Sequence, residues 1–338
     1  MKISEIGRKI NAEIKGNPDR KIDGIKDISF VKGEPVLDPK YLYYIEQKTV
    51  LKKFGKILSQ AVILTSDEFK EHIQDGLFVN KEELKLAFIR LLQIYEYKPE
   101  FDHNEKLIHS KSIIANSARV YPGAVIMEGA SVGENSVIYP NVVIEPFAKV
   151  GKNVIMYPNS VLGHHCVLGD NSILHACAVI GADGFGFYDH KGTRYKIPQI
   201  GNVVIKESVE IGANSSVDRA TIESTIIGEF TKIDDQVHIG HNCHVGKKVY
   251  IAGNAGISGS VEIGDEAIIA GQAGIADHVK IAEKSIIMAL TGVPSDTEPG
   301  QAYFGIPCRP VRTMHKINSS LGKLPELLKR VKDLEEKI

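Results

Sequence analysis

The chain has 338 residues, more than one ordinary domain and fewer than three. Its 41 Lys and Arg stand against 42 Asp and Glu, and a formal charge of −1 excludes the broad basic field of a dedicated nucleic-acid binder. A composition 43% hydrophobic and 25% charged fits folded domains rather than a disordered chain, and no stretch reaches the ~18 consecutive apolar residues of a membrane span.

Residues 1–101 read as a small α/β domain. Residues 3–10 have a helical pattern, 21–28 and 41–45 look like strands, 61–65 and 76–80 like buried strands, and 81–97 like a long amphipathic helix. The segment ends at Lys98-Pro99. Met1 to Ile6 contain no apolar run of a signal peptide. The four cysteines, Cys166, Cys177, Cys243 and Cys308, form no CxxC pair. A reducing cytoplasm is the expected compartment.

From residue 102 to 306 a different period takes over. Every sixth residue from Ile108 to Ile180 is Ile, Leu or Val, with Met156 the one departure. The register breaks, resumes at Ile205, Ile211 and Val217, and breaks again. It then runs unbroken from Ile227 to Val293. Gly often follows the aliphatic residue, as at Gly133, Gly151 and Gly228, and a small or β-branched residue comes four after it, as at Ala130, Ser136 and Ala255. Neither a 3.6-residue period nor simple alternation gives a rule of six. A triangular coil does, with three hexads to a turn, the aliphatic residue on the axis, the small residue beneath a corner and Gly permitting the turn. Cys166 and Cys243 occupy the small slot and are expected to be core thiols. The breaks hold 183–199, with Phe185, Phe187, Tyr188 and Tyr195, and 220–225. The longer one is expected to project as a loop. Residues 307–338 form a C-terminal extension, in which Leu324, Leu327, Leu328, Val331 and Leu334 draw one apolar stripe on a helix.

Eighteen residues make one coil, so positions can be computed. His241 shares its slot with Gly259 one coil on and Asp277 two coils on, with His278 beside the latter. At roughly 4.8 Å per coil they form one outer column, and a histidine whose neighbour has no side chain faces a notch. Asp234, seven residues before His241, is a candidate to hold one imidazole nitrogen while the other accepts a proton, and Gly259 could offer an N–H to an oxyanion. Base, orienter and N–H donor together point to acyl transfer. His238, His241 and His244 resemble a zinc ligand set, but residues three apart in this coil face different sides of the triangle, so no metal site is expected.

The stretches Ile180-Gly-Ala-Asp-Gly-Phe-Gly-Phe-Tyr188, Lys196-Ile-Pro-Gln-Ile-Gly201, Val217-Asp-Arg219 and Ile239-Gly-His-Asn242, with Thr297-Glu-Pro-Gly300 and Gly305-Ile-Pro307, resemble the UDP-3-O-(3-hydroxyacyl)glucosamine N-acyltransferases of lipid A biosynthesis. That resemblance covers nearly the whole chain. It implies a mainly β fold, a left-handed parallel β-helix of hexapeptide repeats, with a uridine-binding α/β domain before it and a helical extension after it. It implies a homotrimer with sites between neighbouring β-helices, and transfer of a 3-hydroxyacyl chain from acyl carrier protein to the 2-amine of UDP-3-O-acylglucosamine. The acyl-loaded phosphopantetheine is then a co-substrate and no other cofactor is needed. The family's base falls on His241, its supporting aspartate on Asp234 and its oxyanion glycine on Gly259. His278, Asn242 and Tyr43 fall on substrate-binding positions, with Tyr43 stacking on the base. Glu46 and Thr49 depart from the amide and aromatic residue the family carries there. Arg309, Arg312 and Lys316, just past the last coil, are expected to meet the acidic carrier. The rival readings are a hexapeptide acyltransferase using another nucleotide sugar or acyl-coenzyme A, a zinc-dependent carbonic-anhydrase-like enzyme, and a non-catalytic scaffold.

Overall fold

The computed structural model describes residues 1–28, 37–98 and 106–336. They form two compact units, one of Met1–His103, Asp183–Asn202 and Arg219–Ser224, the other of Asn104–Ala182, Val203–Asp218 and Thr225–Ile338. The coil read over 102–306, however, gives up both of its register breaks to the N-terminal unit.

In the first unit α1 (Ile3–Ile10) precedes a five-stranded sheet of β1 (Glu13–Lys15), β2 (Gly24–Lys26), β3 (Tyr41–Tyr44), β4 (Val62–Ser66) and β5 (Gly76–Val79), in the order β1-β5-β4-β3-β2. β2 to β5 are parallel and β1 is antiparallel. Between β3 and β4 lies α2 (Lys48–Phe54), and α3 (Leu84–Tyr95) follows β5. β4 and β5 are buried at every position, because the sheet is covered on both faces. Ile3, Ile6, Leu42, Leu64 and Leu91 belong to one core, and Ile28, Tyr43, Ile45, Ile63 and Phe78 to the other. Segment 183–199 is not a projecting loop. Its strands Phe187–His190 and Thr193–Lys196 pair as a hairpin, and Ile197, Ile200 and Ile222 pack against the first of those cores. Lys191 Nζ donates to Glu83 at 2.8 Å, and His190 Nε2 lies 3.2 Å from the same carboxylate oxygen. The excursions thus half-bury their isoleucines against that core, which the hydrophobic effect favours.

The second unit is a left-handed parallel β-helix. Two-residue strands stack into three faces, beginning at Ile113–Ile114, Arg119–Val120 and Val125–Ile126. Pairing steps by 18 residues, as between Val143 and Val161. Across the breaks the third face steps by 37 from Val179 to Ser216 and by 22 to His238, yet the aliphatic residue returns to the axis each time. Cys166 and Cys243 are fully buried. Burial pushes the Cys243 thiol up to about 12, so it carries no reactive thiolate.

The corner glycines do a different task from the one expected. Gly133 and Gly228 do not adopt positive φ; the residues that do lie two further on, at Asn135 (φ 59°) and Phe230 (φ 62°). A Cβ at either glycine would stand 2.4 Å from a carbonyl oxygen of the next coil. Gly is present so that coils can approach, and Asn fills the left-handed slot because its short amide tolerates that region.

After the last coil, α4 (Val311–Leu321) and α5 (Leu324–Glu335) are separate helices broken at Gly322-Lys323. The leucine stripe of α5 is open to solvent, with Leu328 68% and Leu334 60% exposed. Among the described residues no helix is long and apolar enough to cross a membrane. Lys284 is exposed at a left-handed corner (φ 56°). Lys284→Asn should therefore raise stability, by up to about 1 kcal/mol given the 1–2 kcal/mol cost of that region for other L-residues. A calorimetric midpoint at or below that of the wild type would show that corner conformation is not limiting.

Candidate active site

His241 sits on the corner after the third-face strand His238–Ile239, where Asn242 takes the left-handed turn (φ 61°). The next coil brings Gly259 to this corner and the following one brings Asp277 and His278. Ser260 N–H donates to the His241 carbonyl at 2.8 Å, and His278 N–H to the Gly259 carbonyl at 3.1 Å. The imidazole lies directly on Gly259, since a Cβ there would be 2.8 Å from both Cε1 and Nε2 of His241.

Two polar groups in this column are uncommitted. At the equivalent slot of some other coils the backbone N–H is capped by a carboxylate, Lys152 by Asp170 and Lys247 by Asp265, each at 2.8 Å. The N–H of Gly259 has no acceptor among the described residues. Nδ1 of His241 is buried and likewise unpartnered. Burial first, then the nearby His278 and His238 imidazoles, push His241 below the usual histidine range, while the Asn242 side chain partly opposes them. The ring is a free base near neutral pH beside an unused donor, the pairing that deprotonates a nucleophile and receives developing negative charge.

Asp234 is not joined to His241 within the chain. It lies on the corner before the third-face strand, whereas His241 lies on the corner after it, and its carboxylate accepts from Gly253 N–H at 3.0 Å. It opens into a cleft of about 620 Å³ on the second face, lined by His175, Glu210, Lys232, Asp235 and Tyr250. His175 tops a column of stacked rings, Tyr121, Tyr139, Tyr157 and His175, each 5.2 Å from the next. The 18-residue spacing of these rings is a signal that could have been read from the sequence. On the third face, the histidine beside His241 that lies against a carboxylate is His238. Its Nε2 is 3.7 Å from Asp218 Oδ2 and its Nδ1 is 3.0 Å from Ser216 Oγ. That partnership was hidden by the 22-residue step across a register break. His238, His241 and His244 fall on the third face, its corner and the first face. Among the described residues no group of three His, Cys, Asp or Glu is placed to hold a metal ion.

Tyr43 is not the surface platform expected of it. β3 is an inner strand of a sheet covered on both faces, so Tyr43 points into a core and is 2% exposed. Its hydroxyl accepts from Asp38 N–H at 3.0 Å. The carboxyl ends of β3, β4 and β5 instead open on a cavity of about 340 Å³ lined by Glu46, Lys48, Ser66, Glu68, His72 and Lys81. Arg309 precedes α4, Arg312 and Lys316 lie on it, and all three are exposed.

The family model for bacterial transferase hexapeptide (six repeats) matches residues 111–146, 147–182 and 224–259. A UDP-3-O-acylglucosamine N-acyltransferase of Pseudomonas fluorescens is 35% identical over 345 residues, covering 100% of this chain and 95% of that protein. One from Thermosynechococcus vestitus is 50% identical over 161 residues, covering 47% of this chain and 48% of the relative. The chain thus spans about half the length of several relatives it matches and nearly all of the Pseudomonas protein. Among solved structures, a UDP-N-acetylglucosamine acyltransferase from Campylobacter jejuni aligns with a TM-score of 0.47 at 24% identity, over 60% of this chain and 73% of that one.

The contact between imidazole and glycine generates a direct test. Gly259→Ala should leave the coil folded but displace the His241 ring, and misplacement on the order of 1 Å costs about 100-fold in rate. Turnover close to that of the wild type would separate Gly259 from the chemistry.

Proposed function

We propose, for a chain that belongs to the UDP-3-O-acylglucosamine N-acyltransferase family, that the His241 column moves a 3-hydroxyacyl group from acyl carrier protein to the 2-amine of a UDP-linked, O-acylated glucosamine, a step of lipid A biosynthesis. The uncommitted Gly259 N–H under a neutral imidazole carries this reading. The amine lone pair attacks the thioester carbonyl and His241 takes an amine proton as the C–N bond forms. Gly259 N–H receives the oxyanion. When the C–S bond breaks, the proton passes from His241 to the departing thiolate. Every step is a proton transfer or an acyl exchange, so no metal or redox group has a part in it, and the pantetheine-borne acyl chain arrives as co-substrate. His278 and Asn242, flanking the base, are assigned to substrate. The cavity at the carboxyl ends of β3 to β5 is assigned to the nucleotide, in the crevice where open parallel sheets bind such ligands. It takes the place of Tyr43.

The same reading makes the protein a cytoplasmic homotrimer. His241 lacks a partner for Nδ1, and Asp234 lies on a corner that its own base cannot use. Apolar side chains stand open on the second face, Tyr250 at 59% and Ile268 and Ile286 at 40%, besides the α5 stripe. A second copy of the chain covers such surface and brings its Asp234 toward the neighbour's His241. The exposed Arg309, Arg312 and Lys316 suit an acidic carrier.

His241→Ala should assemble normally and lose ~10²–10⁴ in kcat, the usual cost of a missing general base; unaltered turnover removes His241 from its role. Co-refolding His241→Ala with Asp234→Asn chains tests the shared site. Random trimers would restore about a quarter of the wild-type sites if base and orienter come from different copies, and none if they come from one. Reversing Arg309 and Arg312 to Glu should raise KM for the carrier and flatten its salt dependence. An unmoved KM would make that segment a solvated face.

A further inference from the structure

We propose that His238, clamped between Ser216 and the buried Asp218, is a positioning residue whose charge governs how readily the neighbouring His241 holds a proton. The inference rests on His241 being the base. Ladder register sets Ser216, His238 and Gly256 one above another on the third face. The Asp218 side chain is 7% exposed, while that of His238 remains 52% exposed. A carboxylate drawn out of water requires a cation or hydrogen-bond donors close by, and His238 stands at its mouth with Nε2 3.7 Å away. Ser216 Oγ, 3.0 Å from Nδ1, fixes the other side of the ring. Above the ring, Gly256 supplies no side chain, and nothing lies within 4 Å of where its Cβ would stand. The groups facing His238 are thus Ser216 and Asp218 from the preceding coil and His241 along its own, with His278 further along the corner. Cys243 also feels Asp218, but its buried thiol stays protonated and neutral.

As pH falls, His238 takes a proton and Asp218 holds the resulting cation in place. A positive charge there opposes a second one on His241. The base therefore stays unprotonated, and able to accept the amine's proton, further into acid. His238 acts in this direction on His241, after burial and His278. Burial also pushes the His238 titration down, which confines its charge to the acid side, where the base would otherwise be lost.

The test is kcat/KM against pH for the assembled full-length protein, with wild type, His238→Gln, His238→Lys and His241→Ala measured side by side. His238→Gln should keep most of its plateau rate while its acid limb moves to higher pH. Low on that limb its relative rate should be about two- to fivefold below wild type, the scale of a nearby charge in partly solvated surroundings. His238→Lys, a fixed cation in the same place, should return the limb toward that of the wild type. Gln at a half-exposed position leaves folding intact, which the oligomer size checks. A His238→Gln limb superimposed on wild type overturns the proposal. So does a plateau that collapses with the limb unmoved, since His238 would then touch the reacting atoms. Full turnover in His241→Ala would instead fail the assignment of the base, so the two failures are told apart.

Discussion

The parallel ladder between successive coils is the interaction on which the rest of this molecule depends. A two-residue strand cannot hold its shape alone, and each is kept by backbone pairing above and below and by one aliphatic side chain on the axis. Because the ladder stacks like slots on like, a single substitution pattern along 18 residues is converted into a column. Tyrosines at that spacing become a stack of rings, and His241, Gly259 and His278 become one edge. The close approach of coils then decides which residues lack a Cβ. Gly133 and Gly228 yield to a carbonyl overhead, whereas Gly259 yields to an imidazole.

Stacking also creates a regular debt of polar groups at the corners. Each corner turns an N–H outward, and a carboxylate from an adjacent coil commonly meets it, as Asp170 does for Lys152 and Asp234 for Gly253. The N–H of Gly259 and the buried Nδ1 of His241 have no such partner among the described residues. An open donor and a buried, unpartnered base thus stand side by side in one column, the combination that acyl transfer uses. Asp234 belongs to both accounts. Its bond to Gly253 is structural, and an Asn in its place keeps an oxygen acceptor for that bond while losing the charge that would steady an imidazolium.

The sequence made the coil legible because the axis admits only aliphatic side chains and the period never drifts within a block. The column of His241, Gly259 and His278 was computable for the same reason, since it lies in an unbroken run. What escaped lies where that arithmetic fails. Asp218 and His238 are neighbours through a step of 22 residues that no fixed period predicts. The resemblance places Tyr43 on a stacking position, whereas the inner strand β3 turns its side chain into a core. The segment 183–199 reads as a loop because the residues that anchor its end, Ile197 and Ile200, pack against a core formed by residues 3–92, far away in sequence. Separations that long leave no local trace.

The arrangement of Asp234 and His241 follows from the triangle itself. Successive corners of such a coil point away from one another, so a residue on the corner before a face and one on the corner after it diverge however close they are in sequence. A carboxylate seven residues from its base is therefore the spacing that a single coil keeps apart. In the proposed trimer the relation would be reversed, because the corner of one copy would meet a face of the next. The second face of this chain offers what such a corner would meet, with Asp234, the ion-paired His175, Glu210 and Lys232, and an open apolar edge at Tyr250 and Ile268. Burying that edge supplies association energy, and the same act excludes water from the base and its donor, where a preorganised N–H is worth most. In that proposed arrangement assembly and catalysis would draw on one surface.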